Sequence, residues 1–442
     1  MTRLEIKKAG INGEGIGFYK RKPVFIEGCF PSEVVECEIF DEGRHCRGTL
    51  KKVLKRSPYR TQSSCSHQRK CGGCVFCELD YEEQLRIKKQ LLASALYKYA
   101  GYEEELNDVI PSFEVHHYRN KCNLPVVEHE GKLLNAMYKQ GSNHPAVIRE
   151  CQVHEEGVEK IRKAILKVLN EHYLKAYVHS EKSGIRQLVV RGFEGNYQAV
   201  IISGNDRIDP DVINDLKKID GLVSLYQGIN THKNPFQMMP EKLKKLYGKD
   251  KIALHNGNYE MRLSPKAFFQ LNHKQAQRIY EDVSQMIGKR VNLLVEAYCG
   301  IGAISLYMHD KAEKLIGIEI VPEAIRDAEE NAKLNKIENI EFICDDAGKA
   351  IRRIAKKEKI DLLVADPPRT GLGEELMETI MRSKIREIIY ISCNPSTLAK
   401  DLNVLQNKYK IQKIQGYDMF PDTAHVETVV LLSKGNISSK KV

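Results

Sequence analysis

One cysteine in this chain stands where covalent chemistry is favoured. The apolar run REIIYIS leads into Cys393, and Pro395 then begins a predicted helix. A thiol between a strand end and a helix start faces unpaired backbone N–H groups, and their field lowers the pKa of a thiol. We therefore interpret Cys393 as a nucleophile. The alternative is a small buried strand residue, which is the usual role of a cysteine outside disulfides.

Glycines and acidic residues elsewhere predict a ligand site at the ends of strands. Gly300 and Gly302 follow the run VNLLVEA, and Glu319 closes the next run, where an acid commonly binds ribose hydroxyls. Dehydrogenases and methyltransferases share this pattern, but its third glycine is absent here. The turn Asp366-Pro367-Pro368 is typical of nucleic-acid methyltransferases that use S-adenosylmethionine. The alternatives are a helix-start acid for Glu319 and a turn cap for Asp366.

A methyltransferase needs a thiolate when its target is carbon 5 of a pyrimidine, which is not nucleophilic by itself. Attack of a thiolate on carbon 6 makes carbon 5 enolate-like, so that carbon 5 accepts a methyl group. A base must then remove the proton of carbon 5 before the thiol can leave. Glu427, in the predicted strand HVETVVLL, could be this base. The alternative is an exposed strand glutamate.

Four of the twelve cysteines crowd into thirteen residues: Cys65, Cys71, Cys74 and Cys77. The 442-residue chain has no apolar run long enough to span a membrane and does not begin like a signal peptide. We therefore expect a cytoplasmic protein. In that compartment disulfides are improbable, so clustered cysteines indicate metal ligands or a nucleophile.

The patterns along the chain predict three segments. Residues 1–58 show short β-branched runs split by turns, as in a small all-β barrel. Residues 59–264 hold the cysteines, a long helix (YEEQLRIKKQLLASALYKYAG) and a mixture of strands and helices. In residues 265–442 short apolar runs alternate with helical segments, which is typical of a parallel, doubly wound α/β sheet. Ligands bind at the carboxyl ends of such strands.

The charge is unevenly distributed. The chain carries +10 in total, with +11 in residues 1–290 and −1 in residues 291–442. A basic front predicts contact with a polyanion, and a small basic barrel is a common single-stranded nucleic-acid binder. The alternative is charge that serves only solubility, with a barrel that only caps its neighbours.

Taken together, the motifs of this chain resemble those of the RNA uracil-5-methyltransferase family over nearly its whole length. The branch of bacterial 23S ribosomal RNA enzymes with an N-terminal TRAM domain is most similar. The matching motifs, in chain order, are GEGIGFYKRKPVFIEGCFPSEVVECEI, CSHQRKCGGC, YRNKCNLPV, FFQLN, YCGIGAISL, GIEIVPEAIRDAEENAKLN, DPPRTGL, ISCNPSTLAKDL and FPDTAHVETVVLL.

The resemblance implies a fold and a role for each matching residue. It implies an oligonucleotide-binding-like TRAM barrel, a central RNA-binding α+β domain and a Rossmann-like class I methyltransferase domain. Cys393 would attack carbon 6 and Glu427 would accept the proton. The residues implied to line the methyl donor and target base are Gln270, Tyr298, Glu319, Asp346 (near the adenine) and Asp366.

In the TRAM-bearing branch, cysteines hold a [4Fe–4S] cluster, which thiolate-only ligation suits. The implied ligands here are Cys65, Cys71, Cys74 and Cys151. Zinc also accepts four thiolates. Cys77 stands where the family usually has Gln and could compete with Cys151. Glu296 replaces the usual Asp at the end of the first methyltransferase strand.

The sequence therefore predicts S-adenosylmethionine-dependent methylation of carbon 5 of a uridine in RNA, with 23S ribosomal RNA preferred as substrate. We expect a monomer with no membrane partner. The alternatives are methylation of transfer RNA, a non-catalytic RNA-binding iron–sulfur protein, and amino methylation at the DPP motif. The last would leave Cys393 and Glu427 unexplained.

Overall fold

The computed structural model describes residues 1–68, 70–139, 142, 144–233 and 239–435. The strands, numbered in chain order, are β1 (Thr2–Glu5), β2 (Lys8–Ala9), β3 (Gly15–Tyr19), β4 (Lys22–Ile26), β5 (Val34–Asp41), β6 (Cys46–Lys55), β7 (Lys121–His129), β8 (Lys132–Tyr138), β9 (Pro145–Ile148), β10 (Ile185–Phe193), β11 (Asn196–Ser203), β12 (Leu222–Ile229), β13 (Leu243–Gly248), β14 (Ile252–Asn256), β15 (Tyr259–Leu263), β16 (Val291–Ala297), β17 (Ala312–Glu319), β18 (Ile340–Cys344), β19 (Leu362–Ala365), β20 (Glu387–Ser392), β21 (Tyr409–Tyr417) and β22 (Glu427–Lys434). The helices are α1 (Tyr81–Ala100), α2 (Glu156–Glu171), α3 (Pro210–Leu216), α4 (His273–Met286), α5 (Ala303–Met308), α6 (Pro322–Leu334), α7 (Ala347–Lys357), α8 (Glu374–Arg382) and α9 (Pro395–Leu405).

The described chain divides into two units. The first contains the described residues of 1–69, 73–115 and 351–442, and the second those of 70–72 and 116–350. Among the described residues, no helix is long and apolar enough to cross a membrane.

The amino-terminal part of the first unit is a sheet, as its turn-rich sequence predicts. Its six strands follow the order β1-β5-β6-β4-β3-β2, and all neighbours are antiparallel except β4 and β6. Alternate side chains of these strands form a small apolar core around Ile6, Val24, Ile26 and Val35.

The rest of the first unit positions the thiol. Strands β19 and β20 are parallel, and β22 lies antiparallel to both β20 and β21. Helix α1 begins at the cap Asp80, whose carboxylate accepts the backbone N–H of Glu82 at 2.9 Å. It packs against α9, and its carbonyl at Ala100 accepts Gln406 Nε2 at 2.9 Å.

The second unit contains a mixed sheet in the order β13-β12-β11-β10-β7-β8-β9, as well as the antiparallel pair β14-β15. Helix α2 lies on this sheet because its apolar residues recur every three or four positions, and those at 158, 161, 165 and 169 are fully buried. Farther along the chain, β18, β17 and β16 are parallel neighbours in that order. The strands predicted from the apolar runs after residue 290 are thus confirmed.

Candidate active site

The structure places Cys393 immediately after β20 and just before α9. Asn394 caps this helix, since its side chain accepts the backbone N–H of Ser396 at 3.1 Å. The side chain of Asn394 also donates to the carbonyl of Arg369 at 3.2 Å, and Thr397 Oγ1 donates to the same carbonyl at 3.1 Å. The DPPR turn and the thiol turn are therefore tied together through one carbonyl.

Strand register brings Glu427 beside the thiol. Ser392 is paired with Thr428 in the antiparallel ladder between β20 and β22. Cys393 directly follows Ser392, and Glu427 directly precedes Thr428, so these two residues are neighbours across the strands. The carboxylates of Glu427 and Asp366 both interact electrostatically with the Cys393 thiol. The structure thus assembles three of the residues that the sequence predicts, each at the end of a different strand.

Burial in this cluster favours the uncharged form of each acid. It raises the pKa of Asp366, and it raises the pKa of Glu427, with a further rise from the charge of Asp366. Because both pKa values are raised, the pair of carboxyls holds a proton near neutral pH. Glu427 is consequently a stronger base, once ionised, than an exposed glutamate would be.

The expectation of a lowered thiol pKa is wrong for this structure. Burial and, to a smaller extent, the charges of Glu427 and Asp366 raise the pKa of Cys393 to about 11, against an opposing effect of Arg369. Proximity to the start of α9 does not outweigh the loss of water around a thiolate. Cys393 is therefore a thiol at rest, and it needs a nearby base to become a nucleophile.

Two further residues belong to this cluster that sequence reasoning did not single out. Arg369, the last residue of the DPPR motif, lowers the pKa of both Cys393 and Glu427 by its charge. His425 has a pKa lowered to about 4, chiefly by burial and then by the charges of Arg369 and Lys88. It is thus an uncharged imidazole two residues before Glu427. The DPPR motif could have pointed to Arg369, whereas His425 is distinguished only by its environment.

The segment that leads into Glu427 is held by one face of α1. Lys88, which is fully buried, donates to Asp418 Oδ1 at 2.5 Å and to the carbonyl of Phe420 at 2.9 Å. Gln84 exchanges two hydrogen bonds with Asp422, through Nε2 to Oδ1 at 2.9 Å and from the Asp422 N–H to Oε1 at 2.8 Å. This explains the YEEQLRIKKQLL motif, whose polar residues at 84 and 88 lie on the same side of the helix.

In the second unit, Gly300 and Gly302 lie in the turn between β16 and α5. Tyr298, Gly300 and Gly302 all have positive φ, of 64°, 55° and 79°. The backbone N–H of Gly300 donates to Glu319 Oε2 at 3.2 Å, and that of Val321 donates to Oε1 at 3.0 Å. The turn and the acid that were predicted to bind one ligand are therefore in direct contact.

The other predicted ligand-binding residues of this unit are fixed by backbone contacts. Asp346 caps α7, because its Oδ1 accepts the backbone N–H of Lys349 at 3.0 Å. The neighbouring Asp345 donates its backbone N–H to the carbonyl of Glu319 at 3.1 Å. Gln270 lies before α4, where its carbonyl accepts Asn120 Nδ2 at 2.9 Å.

These residues fit S-adenosylmethionine, the cofactor that a methyltransferase requires. A Cβ at Gly300 would meet no atom within 4 Å, so open space lies beside this backbone. The Glu319 carboxylate accepts two backbone N–H groups, and a carboxylate has about four acceptor positions, which leaves capacity for ribose hydroxyls. When bound, the cofactor supplies an electrophilic methyl group.

The cysteines that the resemblance implies as iron–sulfur ligands are divided between the two units. Cys71 packs against the apolar core of the second unit, and the pKa of Cys151 is lowered through a hydrogen bond with His154. Within residues 1–68, 70–139, 142, 144–233 and 239–435, no group of three or more His, Cys, Asp or Glu side chains is arranged to hold a metal ion. The structure thus gives no support to ligation by Cys65, Cys71, Cys74 and Cys151.

Known proteins resemble this chain along almost its full length. Residues 239–435 match the family model of tRNA (uracil-5-)-methyltransferases. An RNA methyltransferase of Bacillus cereus is 35% identical over 97% of this chain and 96% of its own length. One from Streptococcus pneumoniae strain R6 is 35% identical over 98% of this chain and 97% of its own length.

A solved structure has the same fold. It is the Pyrococcus abyssi tRNA (uracil-54, C5)-methyltransferase in complex with S-adenosyl-L-homocysteine, with a TM-score of 0.78 and 24% identity. The match covers 98% of this chain and 100% of that one. The fold is the mixed α/β fold of class I S-adenosylmethionine-dependent methyltransferases. The chain therefore belongs to the family of RNA methyltransferases.

Proposed function

We propose that the protein methylates carbon 5 of a uridine in RNA, with Cys393 as the nucleophile and Glu427 as the proton acceptor. One observation carries this proposal: a thiol and two carboxyls of raised pKa lie together at the ends of β19, β20 and β22. Amino methylation would need neither the thiol nor Glu427.

The reaction begins when an ionised carboxyl of the cluster accepts the Cys393 proton and releases it to solvent, so that Glu427 is ionised for the later proton transfer. The sulfur then bonds to carbon 6 of uracil, and carbon 5 gains the nucleophilic character it lacks in the free base. After carbon 5 has taken the methyl group, Glu427 in its ionised form accepts the proton of carbon 5. The carbon–sulfur bond then breaks, and the base recovers its double bond while the sulfur leaves.

The raised pKa values suit this sequence of proton transfers. A carboxyl with a raised pKa is a better proton acceptor, so it can take a proton from a thiol whose own pKa is about 11. Because Arg369 lowers the pKa of Cys393, it also stabilises the thiolate. His425 stays uncharged and adds no competing acid.

Five residues would hold the donor and the base. Glu319 would accept the ribose hydroxyls, and Asp346 would lie near the adenine. Tyr298 would contact the donor from the glycine turn, while Gln270 and Asp366 would bind the donor and the uracil. Hydrogen bonds of the last two would orient the ring for attack at carbon 6.

We propose 23S ribosomal RNA as the substrate, bound by a monomer. The predicted domains are a TRAM domain at residues 1–58, a central RNA-binding domain at 59–264 and a methyltransferase domain at 265–442. The target uridine must leave its stack to react. Transfer RNA is the second candidate, because both the matching family model and the Pyrococcus abyssi relative are named for it.

Trapping with 5-fluorouridine tests chemistry and substrate together. The protein and methyl donor are incubated with 23S ribosomal RNA or transfer RNA, each containing 5-fluorouridine. Fluorine cannot leave as a proton does, so the carbon 6 adduct should persist through denaturation. We expect an adduct with ribosomal RNA and none with a Cys393→Ala variant.

The other possible results of the trapping experiment distinguish the substrate from the mechanism. An adduct with transfer RNA alone would replace the substrate and keep the mechanism. Absence of any adduct, with donor binding intact, would refute the Cys393 mechanism. Iron analysis of anaerobically purified protein tests the cysteines separately, because the family resemblance predicts about four irons per chain.

A further inference from the structure

Two cations face each other across β7 and β10 in the second unit. Lys121 is paired with Arg191 in the antiparallel ladder, so their side chains project from the same face of the sheet. The opposite face carries Cys122 and Val190 in the apolar core under α2. Like charges placed directly opposite on a strand pair repel each other, so this arrangement is destabilising in the absence of an anion.

A third cation, Arg119, lies two residues before Lys121. Its Nε and the Nη1 of Arg191 are buried and have no hydrogen-bond partner among the described residues. Arg191 is only 3% exposed. Burial, together with the charges of Arg191 and Arg119, lowers the pKa of Lys121 to about 7. Arg119, Lys121 and Arg191 are called the cationic face below.

The nearby carboxylate does not neutralise the cationic face. Asp327 is the acidic group that interacts electrostatically with Arg191. Its Oδ1 is 2.7 Å from Lys251 Nζ and accepts Ser264 Oγ at 2.7 Å, while Oδ2 accepts the backbone N–H of Ser264 at 2.9 Å. A carboxylate so engaged leaves the excess of positive charge in place. Buried charge of one sign requires an anion from outside the chain.

The cationic face adjoins a predicted ligand-binding segment of the same unit. Arg191 Nη2 donates to the carbonyl of Ala267 at 2.5 Å, and Asn120 Nδ2 donates to that of Gln270 at 2.9 Å. Asn123, the next residue along the same face of β7, is exposed. Arg191 is thus fixed next to the FFQLN segment, and the face of β7 that carries Lys121 reaches solvent at Asn123.

We propose that the cationic face is an oxyanion site that binds a phosphate group of the RNA substrate. The identification of the anion as a phosphate of RNA rests on the proposed function, whereas the oxyanion site itself does not. Two guanidinium groups and an ammonium supply the donors that a phosphate accepts, and buried charge-assisted hydrogen bonds are stronger than exposed ones. The carboxylate of the methyl donor offers the same chemistry from another source, so the test must separate the two.

The test measures RNA binding rather than turnover. A fluorescein-labelled RNA hairpin with uridines in its loop is titrated with the full chain over a range of KCl concentrations. In Lys121→Met we expect about tenfold weaker binding at a fixed salt concentration. The slope of log Kd against log salt should fall by about 0.7–0.9, the contribution of one phosphate. Arg119→Gln should act in the same way. Lys132→Met, at an exposed position on the β7–β8 hairpin, is the control and should change neither quantity.

A proton readout separates phosphate binding from a structural role. Because a bound anion raises the pKa of Lys121, wild-type protein should take up a proton on binding RNA at about pH 8. The variant Lys121→Met should not. Titration in two buffers of different ionisation enthalpy measures this uptake.

Other outcomes would overturn the proposal. Loss of S-adenosylhomocysteine binding with unchanged RNA binding would assign the site to the donor carboxylate. Unchanged binding of both ligands in Lys121→Met and Arg119→Gln would show that no ligand anion occupies it. A failed 5-fluorouridine trap with normal RNA binding would refute the proposed chemistry and leave this site intact.

Discussion

The carboxyls beside Cys393 and the cationic face of β7 and β10 respond to burial in opposite ways. Burial raises the pKa of Asp366 and Glu427, and it lowers the pKa of Lys121. In both regions like charges lie close together, where water cannot screen them well. The two regions differ in what can relieve the repulsion.

A carboxyl can be neutralised by a proton, whereas an arginine keeps its proton at any physiological pH. The cluster around Glu427 therefore stores a proton that it can release and recover, which is what acid–base chemistry needs. In the cationic face Lys121 can release its proton, but Arg119 and Arg191 can be neutralised only by an anion, which is what binding needs. Reaction and recognition are thus distinguished by the sign of the buried charge.

Loss of the thiol should have the largest effect. In Cys393→Ser the hydroxyl is a far weaker nucleophile, and we expect turnover to fall by more than about 10³-fold. Binding of S-adenosylhomocysteine, measured by calorimetry, should be unchanged. Lost binding would show that Cys393 has a structural role instead.

Loss of the proton acceptor should stop the reaction at a later step. In Glu427→Gln the sulfur still bonds to carbon 6, but the proton of carbon 5 has no acceptor. We expect turnover to fall by about 10²–10⁴-fold. A methylated covalent adduct should accumulate on denaturing gels. Glu374→Gln, an exposed change at the start of α8, should form none. Release of product at the normal rate by Glu427→Gln would place the base elsewhere.

The stability of the protein should respond differently when the charge of Lys88 or of Lys121 is removed. Lys88→Met leaves the Asp418 carboxylate buried without its cation, and should lower the free energy of unfolding by about 3–5 kcal/mol. Lys121→Met removes a cation that no carboxylate neutralises, so it should leave stability unchanged within about 1 kcal/mol, or raise it.

Urea denaturation measures both variants. The control Lys89→Met breaks a pair with the exposed Asp108 and should cost less than about 1 kcal/mol. Equal destabilisation by Lys88→Met and Lys121→Met would mean that a group of the chain itself neutralises the cationic face. That result would contradict the difference drawn between the carboxyl cluster and the cationic face.

Much of the fold could be predicted from sequence because its strands are short apolar runs with regular spacing. VNLLVEA, KLIGIE and DLLVA are strands, as expected from the short apolar runs of residues 265–442. Local patterns of two or four residues decide these elements. The roles of Cys393 and Glu427 in one site were predicted from the resemblance of their motifs to those of a known family, not from the apolar pattern alone.

What could not be predicted depends on burial and on contacts between distant residues. The thiol pKa was expected to fall because the helix start is visible in the sequence, but the desolvation that raises it is not. Lys121 and Arg191 are seventy residues apart, and only the strand register shows that they face each other. The contacts of Gln84 and Lys88 with residues 418–422 likewise join distant parts of the chain.

The smallest effect should be a shift in the pH dependence of turnover at saturating donor. Glu427 must be ionised to accept the proton, so activity rises as pH increases through its pKa. Asp366→Asn removes a negative charge that raises this pKa, and the acid limb should move to lower pH. Arg369→Gln removes a positive charge that lowers it, and the limb should move to higher pH. Each shift should be about one pH unit or less. Because the substitutions act on opposite charges around one carboxyl, opposite shifts identify that carboxyl as the base, whereas equal shifts in one direction would assign the limb to another group.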